Sequence, residues 1–241
     1  MTLADAAPLA GRTAWITGAS QGIGAATARR LAGAGARVVL TARRPEPLVA
    51  LADEVDGIAL PGDVTDADAM TGLAARIAEE LGEVPDLVVG SAGVFSLGPV
   101  EGTEPGIFRW NLDVNLQGAF HLVRAVLPAM KARGSGTIVQ VGSVAGRKAF
   151  PGNAAYAASK FGVRGFHQVL LEELRGSGIR ATLLEPAATD TPIWDSMDPD
   201  SDPDLPPRTA MLRPDDVADA IHFVATRPEN VQIPYLPLEA C

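Results

Sequence analysis

The sequence predicts a single α/β domain, residues 1–241, built as a doubly wound parallel sheet of about seven strands with helices on both faces. Three observations predict it. Short apolar runs alternate with longer helix-patterned stretches almost from end to end. The first apolar run leads directly into a glycine-rich turn and then an Ala-rich helix. The chain has 241 residues, 47% of them hydrophobic, which is enough for one well-buried core.

Taken in order, Thr13–Thr17 reads as a strand and Ile23–Ala34 as the helix after the glycine turn. Arg37–Ala42 is a second strand, Pro45–Val55 a helix, and Gly57–Leu60 a third strand. Ala67–Leu81 is helical and Asp86–Gly90 is a fourth strand. Thr103–Arg133 reads as helix with a break near Asn111, followed by a fifth strand at Gly136–Gly142. Ala154–Ser177 is a long helix and Ile179–Glu185 a sixth strand. Pro214–Thr226 is a helix with Pro in its first turn and acids just inside, as the helix dipole favours. Val231–Leu236 is the last strand. The stretch Asp195–Arg208, dense in Asp and Pro, reads as a long loop, and with its flanks (about 187–212) it is the candidate substrate loop.

Composition narrows the function classes. The net charge of −9 argues against nucleic acid as a partner. No apolar run is long enough to span a bilayer, so no membrane partner is expected. The stretch from Met1 to Gly11 lacks the basic start and apolar run of a secretory signal. The one cysteine, Cys241, leaves no intrachain disulfide or Cys-based metal site, and the expectation is a cytoplasmic protein. His121, His167 and His222 show no metal-ligand spacing and are expected to pack or face solvent, so no metal is predicted.

The turn Thr17-Gly18-Ala19-Ser20-Gln21-Gly22-Ile23-Gly24 lies between strand and helix. There, backbone N–H groups and the positive helix end can take a pyrophosphate. The spacing is Gly-x-x-x-Gly-x-Gly, and in this turn the chain resembles the short-chain dehydrogenase/reductase family. After the second strand comes Ala42-Arg43-Arg44: no acid is present to repel a 2′-phosphate, and two cations could accept it. This predicts NADP(H), with Arg43 as the main contact and Arg44 as a helper. The resemblance implies that Asp63, followed by Val64, contacts the adenine amino group, while Asp66 or Thr65 caps the next helix. Gly90-Ser91-Ala92-Gly93 stands where the family commonly has Asn-Asn-Ala-Gly. Ser91, Ala92 and Gly93 still allow close approach to a cofactor, but the strand ends must be held differently.

Tyr156-Ala157-Ala158-Ser159-Lys160 places Tyr156 and Lys160 one turn apart on one helical face. A neighbouring ammonium is expected to lower the phenol pKa, so that Tyr156 can exchange a proton with a carbonyl or alcohol oxygen. Ser143, at the end of the fifth strand, can hold that oxygen. The resemblance, which covers about residues 10–192, adds Asn115 in Asp113-Val114-Asn115 as a member of a proton relay through its backbone carbonyl. It also assigns Pro186, Thr189 and Thr191, in Pro186-Ala187-Ala188-Thr189-Asp190-Thr191, to the cofactor's carboxamide and phosphate side. Here Ala187 replaces the family's usual Gly.

The expected cofactor site is therefore Gly18, Ser20, Gln21, Gly22, Ile23, Gly24, Arg43, Arg44, Asp63, Val64, Ser91, Ala92, Gly93, Tyr156, Lys160, Pro186, Thr189 and Thr191. The expected catalytic set is Asn115, Ser143, Tyr156 and Lys160. Phe95, Phe150 and Trp194 are candidate walls of a substrate site that also includes Ser143 and Tyr156, with Leu97 and Met197 close by. The implied activity is NADP(H)-dependent interconversion of a small-molecule secondary alcohol and ketone. The alternative is a non-catalytic NADP(H) sensor, which would have no use for a proton donor. A sugar-nucleotide epimerase would need an added domain that this chain cannot hold. The last strand lacks the Gly-Gly of β-ketoacyl reductases, and Arg213–Ala218 looks more like bacterial reductases of small hydroxy acids or specialised-metabolite ketones. If the acidic Asp198–Asp204 loop folds over the site it would disfavour anions. Relatives pair through their two long helices, so a homodimer or homotetramer through Leu112–Ala132 and Ala154–Ser177 is expected.

Overall fold

In the computed structural model, which describes residues 7–241, seven parallel strands form one sheet. The strands are β1 (Thr13–Thr17), β2 (Arg37–Thr41), β3 (Ile58–Ala59), β4 (Leu87–Gly90), β5 (Gly136–Val141), β6 (Ile179–Pro186) and β7 (Tyr235–Leu238). Their order is β3-β2-β1-β4-β5-β6-β7. The helices are α1 (Gly22–Gly33), α2 (Pro45–Glu54), α3 (Ala67–Leu81), α4 (Pro105–Asn111), α5 (Gly118–Arg133), α6 (Ala154–Glu173) and α7 (Pro214–Ala225). Met1–Ala6 of the N-terminal stretch read against a secretory signal lie outside the described residues.

Both faces of the sheet are apolar, as parallel sheets require. Alternate side chains of the central strands feed two separate cores. Ala14 and Ile16 of β1 and Val38 and Leu40 of β2 pack with Leu31 of α1 and Val217 and Ile221 of α7. Trp15 and Val39, from the same strands, face the other way, among Ile77 of α3, Leu122 and Met130 of α5 and Leu170 of α6. Trp15 is fully buried, and its indole N–H donates to Thr41 Oγ1 at 2.9 Å, which satisfies the one polar atom it carries inside.

The chain runs outward from β1 through β2 to β3, then returns to β4 on the other side of β1. That reversal opens a crevice at the carboxyl ends of β1 and β4, where ligands bind in such sheets. Register places Thr17 beside both Thr41 and Gly90, and Val141 beside Leu184. The residues that follow these strands, Gly18, Ala42, Ser91, Gly142 and Ala187, therefore line up along one rim, with Ser143 next after Gly142.

Several boundaries differ from the sequence reading. The break expected near Asn111 is a π-helical stretch, Leu112–Gln117, that joins α4 to α5 without interrupting the rod. Helix α6 stops at Glu173 rather than Ser177, because the chain turns out through Gly176 and Gly178 at positive φ. Strand β3 is reduced to two residues. Strand β7 begins at Tyr235, since Val231–Pro234 approach β6 through Thr182 Oγ1 donating to Ile233 O (2.6 Å) and Leu183 N donating to Pro234 O (3.0 Å).

Candidate active site

The glycine turn closes against the next strand. A β-carbon on Gly18 would lie 2.6 Å from both N and Cα of Ala92, and Gly18 has φ +69. A β-carbon on Gly24 would meet Ser91 Oγ at 2.7 Å. Helix α1 starts with Gln21 as its N-cap and no side-chain cap, so its first N–H groups are left for a ligand. Gly18, Ser20, Gln21, Gly22, Ile23 and Gly24 line a cleft of about 1960 Å³. That is about twice the upper end of ordinary small-molecule pockets, room for a dinucleotide and a substrate together.

At the end of β2, Ala42 is buried and Arg43 exposed, and both line the cleft. Arg43 makes no side-chain ion pair among the described residues, whereas Arg44 Nη2 donates to Gln21 Oε1 at 2.6 Å. Arg44 thus braces the glycine turn. Asp63 and Val64 line the cleft, and Asp63 Oδ1 accepts from Thr65 N and Oγ1 at 2.9 Å each. Asp66, not Asp63, caps α3 by accepting from Asp68 N and Ala69 N. His121 Nδ1 meets Val64 O at 2.9 Å. It therefore fixes the backbone of the Asp63-Val64 turn from α5, a support that the residue's lack of metal spacing gave no means of finding. Ser91 Oγ donates to Thr17 O at 2.6 Å, so one serine ties the ends of β1 and β4 where the family's asparagines are missing.

The residues expected to be catalytic converge. Tyr156, set in α6, and Ser143, which stands just past β5, line the cleft together. Ser143 is 9% exposed, and its Oγ accepts from Ala145 N at 3.1 Å. Lys160 Nζ lies 5.5 Å from the Tyr156 ring centre and donates to Val141 O at 3.0 Å. Asn115 sits in the π-helical stretch and is 2% exposed. Its Oδ1 accepts from Val94 N (2.8 Å), and its Nδ2 donates to Val94 O (3.0 Å) and Ser159 Oγ (2.9 Å). Ser159 in turn donates to Tyr156 O at 2.7 Å. The Asn115 side chain therefore clamps the segment after β4 to the catalytic turn of α6, and Ser159 is a clamp member the sequence reading passed over.

The expected lowering of the Tyr156 pKa is not what the protein alone produces. Burial pushes the phenol up to about 12, against a smaller downward pull from the nearby Ser143 hydroxyl. Lys160 is pushed down to about 8 by the same burial. The physical reason is placement: the ammonium sits over the ring and bonds to Val141 O, not to the phenol oxygen. At neutral pH the phenol therefore holds its proton.

The chain after β6 folds across the cleft mouth. Pro186, Thr189 and Thr191 line the cleft, and the Thr191 methyl stands 3.1 Å from where a Gly22 β-carbon would be, directly over the glycine turn. Thr189 is buried, with its hydroxyl donating to Ala187 O at 3.0 Å. Arg208 gathers the loop: it donates to Asp190 (2.5 Å) and Asp195 (2.7 Å), and its backbone N–H donates to Asp200 (2.8 Å). Phe95 packs edge-on against both Tyr156 (4.8 Å) and Trp194 (4.9 Å), making an aromatic wall beside the phenol. Phe150 and Leu97 line the cleft as well, but Phe150 is 38% exposed and carries Lys148 Nζ 5.3 Å above its ring, apart from that wall. Met197 does not line the cleft, and Asp202 and Asp204 do. Among the described residues, no group of three or more His, Cys, Asp or Glu side chains is placed to hold a metal, and no helix is long and apolar enough to cross a membrane.

Comparison with known proteins places this arrangement. The family model for short chain dehydrogenases matches residues 12–202. The chain belongs to the short-chain dehydrogenase family. It is an oxidoreductase of that family by the same match and by its relatives. It is 37% identical over 241 residues to a glycine betaine reductase of Emericella nidulans, a match covering 96% of this chain and 19% of that much longer protein. Among solved structures, a metagenomic short-chain oxidoreductase in complex with NADP is 34% identical, with a TM-score of 0.81 over 97% of this chain and 98% of the other. An alcohol dehydrogenase from the archaeon Thermococcus sibiricus, complexed with 5-hydroxy-NADP, is 28% identical, with a TM-score of 0.82 over 95% and 96% of the two chains. The seven-stranded parallel sheet with helices on both faces is thus the fold of this family of dehydrogenases.

Proposed function

We propose that this dehydrogenase is an NADP(H)-dependent carbonyl reductase that interconverts a secondary alcohol and a ketone, with Tyr156 as its proton donor and acceptor. The observation that carries the reading is one cleft lined by Tyr156, Ser143 and Lys160 together with the glycine turn. The cradle fits a dinucleotide: Gly18 and Gly24 leave no room for a side chain, and α1 presents an uncapped N-terminus. Arg43, exposed and unpaired beside the apolar Ala42, fits a 2′-phosphate, and the two solved relatives bind NADP or a hydroxylated form of it. In this reading Gly18, Ser20, Gln21, Gly22, Ile23 and Gly24 hold the pyrophosphate, Asp63 and Val64 the adenine end, and Ser91, Ala92, Gly93, Pro186, Thr189 and Thr191 the nicotinamide half. When bound, the nicotinamide would exchange a hydride, one proton with two electrons, with the substrate carbon.

The chain's own residues handle the oxygen. Ser143 donates a hydrogen bond to the carbonyl oxygen, and that bond strengthens as negative charge gathers there. Tyr156, protonated at neutral pH, gives its proton to the same oxygen. The phenolate left behind lies beside Lys160, whose charge it favours. Asn115 keeps the clamp rigid. Phe95 and Trp194 wall the substrate, while Asp202 and Asp204 at the mouth disfavour anions. The exposed Phe108, Phe120, Phe161 and Val169 on α4, α5 and α6 suit burial between subunits of a homodimer or homotetramer.

The test is Tyr156→Phe. NADPH binding, followed by quenching of tryptophan fluorescence, should persist, while ketone-dependent NADPH oxidation falls by roughly 10²- to 10⁴-fold. Retained turnover refutes the proton-donor role. A wild type that binds NADPH yet turns over no ketone or alcohol supports a sensor instead.

A further inference from the structure

Asn153 is the residue immediately before α6, three positions before Tyr156. Asn in that place ordinarily turns its side chain back to accept from a helix N–H, and here it does not. It is 6% exposed, and its Oδ1 is buried without a hydrogen-bond partner. The amide N makes no hydrogen bond to the described residues either, so exchanging the two ends leaves the deficit unchanged. Buried polar groups are paired almost without exception, and an unpaired one is destabilising.

Among the described residues, the other buried side-chain atoms without partners belong to Thr27, Asn111, His167 and His222, none of which lines the cleft. Asn153 does, together with Ser143, Tyr156 and Phe95. Its backbone is held firmly. Gly98 N donates to Gly152 O at 2.8 Å, Ala157 N donates to Asn153 O at 2.8 Å, and Gly98 and Asn153 form a parallel bridge. The backbone is therefore fixed, while the side chain makes no hydrogen bond to the described residues.

We propose that Asn153 is a specificity residue, binding an uncharged hydroxyl that the substrate carries a few carbons from its reacting carbonyl. This rests on the carbonyl-reductase reading. A hydroxyl both donates and accepts, which matches an amide offering one N–H₂ and one C=O. The amide has no charge with which to meet an ionised group. One helical turn separates Asn153 from the proton donor, so the two polar groups of the substrate must lie close together.

The experiment compares paired ketones with and without a hydroxyl on the β-carbon: 4-hydroxy-2-butanone against 2-butanone, and 3-hydroxy-1-phenyl-1-propanone against 1-phenyl-1-propanone. For wild type, Asn153→Leu and Asn153→Ser, kcat/KM is read from NADPH oxidation, and folding is checked by thermal melting. Wild type should prefer the hydroxylated member of a pair by about tenfold or more. Asn153→Leu should bring that ratio close to one, mainly by loss with the hydroxy ketone, and Asn153→Ser should restore part of it. A fold-level defect would lower both members together and leave the ratio standing. A ratio near one in wild type, or one that Asn153→Leu does not change, overturns the assignment of Asn153 and leaves the reductase reading intact. Absence of turnover with every ketone in wild type overturns that reading and the assignment with it.

Discussion

Lys160 is costly to keep, and the cost can be measured. The side chain is 5% exposed, and burial lowers its pKa from 10.5 to about 8. Between those values the unfolded chain binds a proton that the folded chain does not, so this residue makes stability rise with pH from about 8 to 10.5. Below pH 8 both states carry the charge, and the full penalty for burying it is present, about 3 kcal/mol. Lys160→Met keeps the length of the side chain, removes the charge, and loses the charged-group bond to Val141 O, worth about 2 kcal/mol. The variant should then be more stable than wild type at pH 7 by about 1 kcal/mol, a rise in Tm of about 3 °C for a chain of this size. The advantage should shrink steadily between pH 8 and 10.5, while reductase activity is lost at every pH. Differential scanning calorimetry of both proteins at pH 7 and pH 10 decides it. A variant less stable than wild type at pH 7, or a difference that ignores pH, refutes the claim that Lys160 is held in a desolvated site against its own preference.

Three further outcomes test the cofactor side and the loop. Arg43→Asp should weaken NADPH binding by about tenfold or more relative to NADH, measured as the ratio of the two Kd values; an unchanged ratio removes Arg43 from the phosphate site. Gly18→Ala places a β-carbon 2.6 Å from the Ala92 backbone at a positive φ, so it should cost about 3 kcal/mol in urea unfolding and abolish NADPH binding; near-wild-type values would mean that the turn yields easily. Arg208→Gln removes the guanidinium that joins Asp190 to Asp195, and limited proteolysis should then cut within 195–208 markedly faster while KM rises more than kcat falls. Equal cleavage rates would show that the loop holds its place without that arginine.

Much of this was legible because the signals are local. Strand β1 and helix α3 have the bounds read from the sequence, since an apolar run ends at Gly18 in one case and Asp66 caps the start in the other. That Ser143 and Tyr156 share the cleft is legible from strand ends and helical spacing alone. What stayed hidden depends on where long side chains point. Spacing puts Lys160 on the face of Tyr156 but does not say that its ammonium turns to Val141 O, so in the protein without a nicotinamide burial outweighs the expected lowering of the phenol pKa. Arg44 turning to Gln21, and His121 reaching Val64, are likewise choices made by tertiary packing. The start of β7 lies four residues later than the apolar letters suggest because Val231–Pro234 meets β6 mostly through the side chains of Thr182 and Gln232 and joins the backbone ladder only at Pro234.

The π-helical stretch at Leu112–Gln117 has a bearing on how this enzyme can be altered. A helix that widens for one turn carries its later residues around the axis by roughly a quarter turn relative to regular winding. Asn115 sits inside that widened turn, aimed at Val94 and Ser159. An idealising redesign, or a one-residue deletion between 112 and 117, would tighten the rod and swing the amide away from both. The irregularity is thus the part of the scaffold that optimisation for regularity would erase first, and with it the tie between β4 and the proton donor's helix.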